Sequence, residues 1–373
     1  VDIIWNGGIG TFVKSTQEEH AHVGDRSNDL IRIDATECRA KMICEGGNLG
    51  LTRKARVQYA LTGGRINTDF IDNSAGVDCS DHEVNMKILL NSVVDAGKMS
   101  FKQRNQLLKK LTDEVAILVL QNNYQQNRDI AQAVYDSSKK MDLYISYIAH
   151  QEERKKIHRK LDCLPDKKAL LQRKAEKVGL ARPEISFLMA SAKNVVENAL
   201  RSSSIPDDSY YLRYIKEAFP LSMHRRFHDE ILQHRLRREI ISTQLSNQVV
   251  SDMGFVFIYQ MERELGVSCE KVLSAYSVIR EVFSLDELLA EVQSYDLAIE
   301  TVHQYSMTEQ IISLIRRSVR WLIRHVDDFS DVGALISVYK PHIKLLFNRI
   351  PKLLVGSGDD KVHLCIVMTS DRG

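Results

Sequence analysis

Three asparagines in this chain each sit beside small residues. They occur in Asn6-Gly7-Gly8, in Glu45-Gly46-Gly47-Asn48 and in Asn73-Ser74-Ala75-Gly76. A carboxamide both donates and accepts, so it can pair with another carboxamide or with a ribose hydroxyl. The neighbouring glycines let backbone come close to whatever is bound. Asparagine also tolerates turns and caps helices with no ligand present. One such loop is read as a turn, whereas three at one sheet edge leave two readings open in equal measure, turns alone or a nucleotide site. Ser80 follows the third loop and opens the pattern Ser80-x-x-Glu83, a capping box that predicts a helix N-terminus. Free N–H groups and the positive dipole end there suit a carboxylate. Asp78, Cys79, Asp81, His82 and Glu83 carry metal-ligating atoms. Consecutive residues in a first helical turn point apart, however, and no second Cys/His cluster completes a tetrahedral set, so no metal is assigned.

Those loops need strands to hold them. Short extended runs at Asp2 to Trp5, Ala40 to Cys44 and Ile66 to Ile71 each lead into one loop. Helical segments are expected between them, near Asn28 to Arg32 and from Thr52 to Leu61. Strands alternating with helices predict a parallel sheet whose carboxyl edge carries the ligand. Ten of the 18 glycines fall within the first 76 residues, which separates this part from the rest. From Met99 the pattern is helical. Leu107, Leu108, Leu111, Val115, Leu118 and Val119 repeat at three and four residues. Val84, Ile88, Leu89 and Val93 make the same stripe after Ser80, and Gly97 ends it. Ser268 and Ser284 read as N-caps, the latter boxed by Glu287, and Pro165, Pro183, Pro206 and Pro220 mark starts or breaks. About ten to twelve helices of ordinary length are expected. The fold class is mixed: an N-terminal α/β part (a partial Rossmann-like parallel sheet), residues 1–98, then a large all-α helical domain, residues 99–354. An atypical tail, residues 355–373, completes the chain.

The 373 residues carry net charge +2, with 27% charged and 44% hydrophobic side chains, so no strong field points to nucleic acid or an anionic membrane. No apolar run approaches the ~20 residues of a membrane helix. The densest basic run, His234-Arg235-Leu236-Arg237-Arg238, is broken by Glu230 and Glu239 and carries an apolar stripe, so it reads as a solvated or interdomain face. Arg316, Arg317, Arg320 and Arg324 around Trp321 read as a salt-bridging helix. Six scattered cysteines without a CxxC pair indicate reduced thiols and a cytoplasmic location. Val1-Asp2-Ile3-Ile4-Trp5 has no start Met and begins in mid-strand, as a piece of a longer protein would. Gly8-Ile9-Gly10-Thr11-Phe12-Val13 lacks the third glycine of a dinucleotide fingerprint, and no Walker loop, G-x-S-x-G or HExxH is present.

Taken together, the three loops resemble a known family. Glu45-Gly46-Gly47-Asn48 is similar to the E-G-A-N loop of glutamate dehydrogenases, and Asn73 through Ser80 to their N-A-G-G-V-T-V-S stretch. Trp5 through Thr11, Val23-Gly24-Asp25-Arg26, Arg182-Pro183-Glu184, Pro206-Asp207-Asp208 and His234 through Ile241 resemble the very large NAD-specific bacterial members. The likeness runs from residue 1 to about 354. It implies an NAD-dependent enzyme that oxidatively deaminates L-glutamate to 2-oxoglutarate and ammonium. Gly7, Gly8, Asn48 and Asn73 would then contact NAD, and Val77 and Ser80 the substrate. Catalytic lysine and aspartate and the glycine-rich turn lie upstream of this stretch in that family. The resemblance thus assigns no catalytic residue here and implies that the fragment alone is inactive. Gly7-Gly8 replace two alanines of the pattern, and Asp78 replaces a threonine. The intact protein would be a homo-oligomer that binds no nucleic acid and no membrane. A reading from a different class makes the helical region an oligomerisation or regulatory module without catalysis of its own.

Overall fold

Two short apolar segments, β1 (Ile3–Asn6) and β4 (Met42–Glu45), pair in parallel with Ile3 opposite Met42 and Asn6 opposite Glu45. Both strands therefore end at the same edge, and both expected glycine loops leave from it. The computed structural model describes residues 1–353. A second parallel pair, β2 (Val13–Lys14) with β3 (Ile33–Asp34), was not expected from the sequence; two residues are too short for a period to show. Helix α1 (His20–Val23) and a 3-10 turn at Arg26–Asn28 lie between them. Helix α2 (Arg53–Leu61) starts where expected, with Thr52 Oγ1 accepting from the Ala55 N–H at 3.1 Å. Val13, Ala35, Ile43, Leu51, Ala55, Tyr59 and Ile66 form the core between strands and helix.

The third expected strand is not a strand. Met42 and Arg65 make a single parallel bridge, after which Asp69–Asp72 turns as the short helix α3. Asn67 and Thr68 break the apolar run, and the acidic Asp69 and Asp72 favour a helix's first turn over a ladder. Helix α4 follows at once, over Ser74–Asp95, so Ser80 lies within it and not at its start. The chain then continues as α5 (Phe101–Lys110), α6 (Thr112–Ser137), α7 (Met141–Glu153), α8 (Lys167–Ala175), α9 (Arg182–Arg201), α10 (Leu212–Glu217), α11 (Leu221–Arg226) and α12 (His228–Leu232). It ends as α13 (Arg237–Met253), α14 (Phe257–Leu265), α15 (Cys269–Val282), α16 (Leu285–Ser294), α17 (Thr301–His325) and α18 (Val332–Leu353). Fourteen helices thus follow Met99 among the described residues, more than expected. The excess lies in α10, α11 and α12, which are too short to show a helical period.

The chain is largely helical with small parallel sheets, and it divides into two compact units. One comprises Val1–Glu197 and Leu212–Asn247, the other Asn198–Tyr211 and the chain from Gln248 onward. In the first, α4 packs on α5, α6 and α12. His82 Nδ1 lies 3.1 Å from the Ala218 carbonyl, and His234 Nε2 lies 3.1 Å from that of Asn85. In the second, α15 packs against α14, α16, α17 and α18. It is buried along nearly its whole length, with Val272, Leu273, Ala275, Tyr276, Val278 and Ile279 inside the unit, as a central helix must be. Asp252, buried within this unit, accepts from Tyr276 Oη at 2.5 Å and Arg280 Nε at 3.1 Å. Arg320 pairs with Glu264 at 2.5 Å, as expected of that basic helix, and Trp321 stacks on His325.

Ser268 caps α15 by accepting from the Lys271 N–H at 3.3 Å. Ser284 does not cap α16: it takes a left-handed backbone and its side chain makes no cap bond. No described helix is long and apolar enough to cross a membrane. Cys38, Cys44, Cys79, Cys163 and Cys269 are free. The atypical tail expected at residues 355–373 lies outside the described residues.

Candidate functional site

The carboxyl edge of the β1–β4 pair draws the three loops together. Gly46 and Gly47 N–H groups donate to the Asn6 carbonyl at 2.9 and 3.3 Å, which binds the second loop to the first. A Cβ at Gly47 would lie 2.6 Å from the Gly8 carbonyl oxygen, so these two backbones touch as only glycine allows. Asn73 Nδ2 then donates to Asn48 Oδ1 at 2.5 Å, bringing the third loop to the second. Asn48, Gly7 and Gly8 are exposed, so this meeting point faces solvent. The Asn6 side-chain amide nitrogen is buried there and has no partner.

Behind the loops lies a charged network that sequence reasoning missed. Glu45, the last residue of β4, is fully buried. One of its oxygens accepts from the Gly50 N–H at 2.8 Å, and the other is ion-paired with Arg56 of α2. Arg56 reaches Asp69 of α3 at 3.6 Å. Asp69 in turn accepts from the Leu49 N–H at 3.0 Å, while Asp72 accepts from the Glu45 N–H at 3.0 Å. Asp72 also accepts a hydrogen bond from Asn67 Nδ2 at 2.5 Å. Burial pushes the Asp72 carboxyl above the usual range, against the pull of Asn67, Arg56 and Arg182. Burial likewise lowers Arg56, partly offset by Asp69 and Asp72. A buried pair is retained where it is fully hydrogen-bonded, and here every branch ends on a loop that must be placed. The one sequence signal for it was a glutamate closing an apolar strand.

Gly50 completes the packing, since a Cβ on it would lie 2.5 Å from the Glu45 carboxylate and still closer to the Asn6 amide. Farther along, Asp25 accepts from Thr11 N–H, Asn28 Nδ2 and Ser27 Oγ at 2.8, 2.6 and 2.7 Å, which fixes the chain after Gly10. The Asn28, Thr11 and Ser27 donors hold its carboxyl down at about 2.

The residues expected to meet the substrate are placed differently from expectation. Asn73 occupies the N-cap position of α4, and Val77 in the first turn is 66% exposed. Ser80 is exposed in the next turn, with its hydroxyl donating to the Gly76 carbonyl at 3.0 Å. It therefore caps nothing. The helix starts earlier because Asn123 of α6 donates to both the Ile71 carbonyl and Ser74 Oγ at 2.9 Å, anchoring the first turn from outside. The helix end falls at Ser74 to Gly76, beside Asn73, whose carbonyl accepts from the Gly76 N–H at 3.2 Å. Among the acidic residues once grouped as metal candidates, Asp78 accepts from Asn122 at 2.9 Å and faces His82 Nε2 at 3.6 Å.

Comparison with known proteins bears on the same residues. Residues 1–133 match the family model of the bacterial NAD-glutamate dehydrogenase catalytic domain, and residues 177–364 that of the glutamate dehydrogenase C-terminal region. The NAD-specific glutamate dehydrogenase of Pseudomonas aeruginosa is 42% identical over 356 residues, 95% of this chain. That of Halomonas elongata is 40% identical over 361 residues, 97% of this chain. The chain spans 22% of the length of each of these relatives. A 23-residue stretch is 83% identical to part of the ATP synthase gamma chain of Pelagibacter ubique, covering 6% of this chain and 8% of that one.

Proposed function

The chain belongs to the bacterial NAD-glutamate dehydrogenase family, and from that premise we propose that it forms one wall of the hydride-transfer site of a longer enzyme. That enzyme passes a hydride from L-glutamate to NAD, and the imino acid hydrolyses to 2-oxoglutarate and ammonium. Gly7 and Gly8 pass backbone beside the cofactor, and Asn48 and Asn73 contact its nicotinamide half. Val77 walls the substrate pocket and Ser80 meets a substrate carboxylate. No residue of this chain is assigned to proton transfer, and the chain alone is inactive.

The observation that carries this proposal is the convergence of Asn48 on Asn73 and of Gly47 on Gly8 at one strand edge. NAD fits what is there: a glycine floor without Cβ atoms, exposed amides, and a buried Asn6 nitrogen lacking an acceptor. Residues 1–98 are then the last part of a Rossmann-like domain, with β1 and β4 in its parallel sheet, and residues 99–354 its helical C-terminal domain. That division is one of chemistry more than packing, because the first compact unit takes in helices from both parts. The intact enzyme is a cytoplasmic homo-oligomer. Glutamate-dependent NADH formation by the full-length protein, and none by residues 1–373 alone, is the expected result. Absence of that activity from the full-length protein would sink the proposal.

A second reading, the helical region as an oligomerisation or regulatory module, draws on α18. Val338, Leu345 and Leu346 lie there exposed at helical spacing. Sizing of residues 100–354 tests it, since a monomer at all concentrations excludes self-association.

A further inference from the structure

Leu49, next to Asn48, has φ +62°, a left-handed conformation that any residue with a Cβ disfavours. Its side chain is 59% exposed, so packing does not hold it there. Hydrogen bonds do. Thr11 Oγ1 donates to the Leu49 carbonyl at 2.7 Å, and the Leu49 N–H donates to Asp69 Oδ2 at 3.0 Å. The next N–H, of Gly50, is taken by Glu45. Backbone held in a sparsely populated region beside a ligand contact is strain used for aiming. Here it turns the chain so that the Asn48 amide meets Asn73. Asp69 stands one short helix before Asn73, so its carboxylate ties the aim of the second loop to the base of the third.

We propose that Asp69 and Thr11 are positioning residues: they hold Leu49 left-handed and thereby keep Asn48 aimed at the nicotinamide half of the cofactor. This rests on the assignment of Asn48 to NAD made above. Leu49 relaxes toward ordinary backbone when an anchor is lost, and Asn48 then points correctly for a fraction of the time. Apparent affinity falls by that fraction while turnover of the bound complex is little changed.

The test is initial-rate kinetics of the full-length enzyme. Asp69→Ala is expected to raise KM for NAD about tenfold, with kcat and KM for glutamate within about twofold, the pattern of a lowered competent population. Asp69→Asn keeps an acceptor for the Leu49 N–H and stays closer to wild type. Adding Leu49→Gly to Asp69→Ala recovers most of the loss, because glycine adopts positive φ without penalty. Should Asp69→Ala fail to fold, Thr11→Val removes the other anchor and gives the same rise and the same recovery by Leu49→Gly. Two results overturn the proposal: an unchanged KM for NAD in both anchor variants, or a raised KM that Leu49→Gly does not recover. Asn48→Ala separates the levels. If it raises KM for NAD while the anchor variants do not, the positioning role alone is wrong; if it also has no effect, the assignment of Asn48 to NAD falls too.

Discussion

Asn73 donates its side-chain amide to the Asn48 side-chain oxygen across 2.5 Å, joining the loop after β4 to the start of α4. The two residues are 25 positions apart in the chain. The bond uses one donor of Asn73 and part of the acceptor of Asn48, leaving the second Asn73 N–H and both N–H groups of Asn48 for a ligand.

In the full-length enzyme, Asn48→Ala and Asn73→Ala should each raise KM for NAD about five- to tenfold, the equivalent of one net hydrogen bond. Because the residues share a bond, the double variant should lose less than the product of the two. Kinetics on the four proteins decides it, and effects that simply multiply would mean the amides act separately.

Glycines 47 and 76 should respond in opposite directions. A Cβ at Gly47 meets the Gly8 carbonyl at 2.6 Å, whereas at Gly76 it would meet only Asn73 Oδ1 at 3.4 Å. Gly47→Ala should destabilise by about 1–3 kcal/mol through overpacking. Gly76→Ala, within α4, should stabilise by roughly 0.5–1 kcal/mol. Urea melts compare them, and a neutral Gly47→Ala would show that the loops do not need their close approach.

Ser80→Ala separates capping from binding. Its hydroxyl returns to the Gly76 carbonyl inside α4, so its loss should change stability by no more than about 0.5 kcal/mol. Thr52→Ala, at a true cap, should cost about 1 kcal/mol. If Ser80 meets a substrate carboxylate, the serine variant raises KM for glutamate about tenfold, as a charged hydrogen bond would. An unchanged KM removes Ser80 from the site.

His234 sets a pH limit on the first unit. Its Nε2 faces the Asn85 carbonyl at 3.1 Å and its Nδ1 accepts from the Leu236 N–H at 3.1 Å, which together suit the neutral ring. Burial, chiefly, lowers its pKa below the ordinary 6.5, with Arg235 adding to the effect and the Asn85 bond opposing it. The unfolded chain then takes up a proton more readily than the folded one. Stability from this residue is complete above about pH 6.5 and declines as pH falls below that value toward the folded pKa. Denaturant melts at several pH values should show a smaller acid loss for His234→Gln; equal losses would exclude His234 as the cause.

Much of the strand-and-loop scaffold was legible in the chain itself. Asn6-Gly7-Gly8 and Glu45 to Asn48 follow apolar runs, and such local grammar places loops after strands because turn residues act on their own neighbours. The helix from Thr52 to Leu61, the Ser268 cap and the helical character after Met99 were legible for the same reason. What failed involved distant partners. Ile66 to Ile71 read as a strand, but pairing stops at the single Met42–Arg65 bridge and the chain turns from Asp69 into α3. Ser80 carried a capping signature, yet Asn123 of α6 anchors an earlier start. The buried Glu45–Arg56 pair, the Asp69 contact and the left-handed Leu49 left no periodic trace. Sequence alone determined which residues could meet a ligand, since donors, acceptors and glycine freedom belong to residue types. Tertiary structure decided where they point, because a side chain's aim depends on hydrogen bonds to residues remote in the chain.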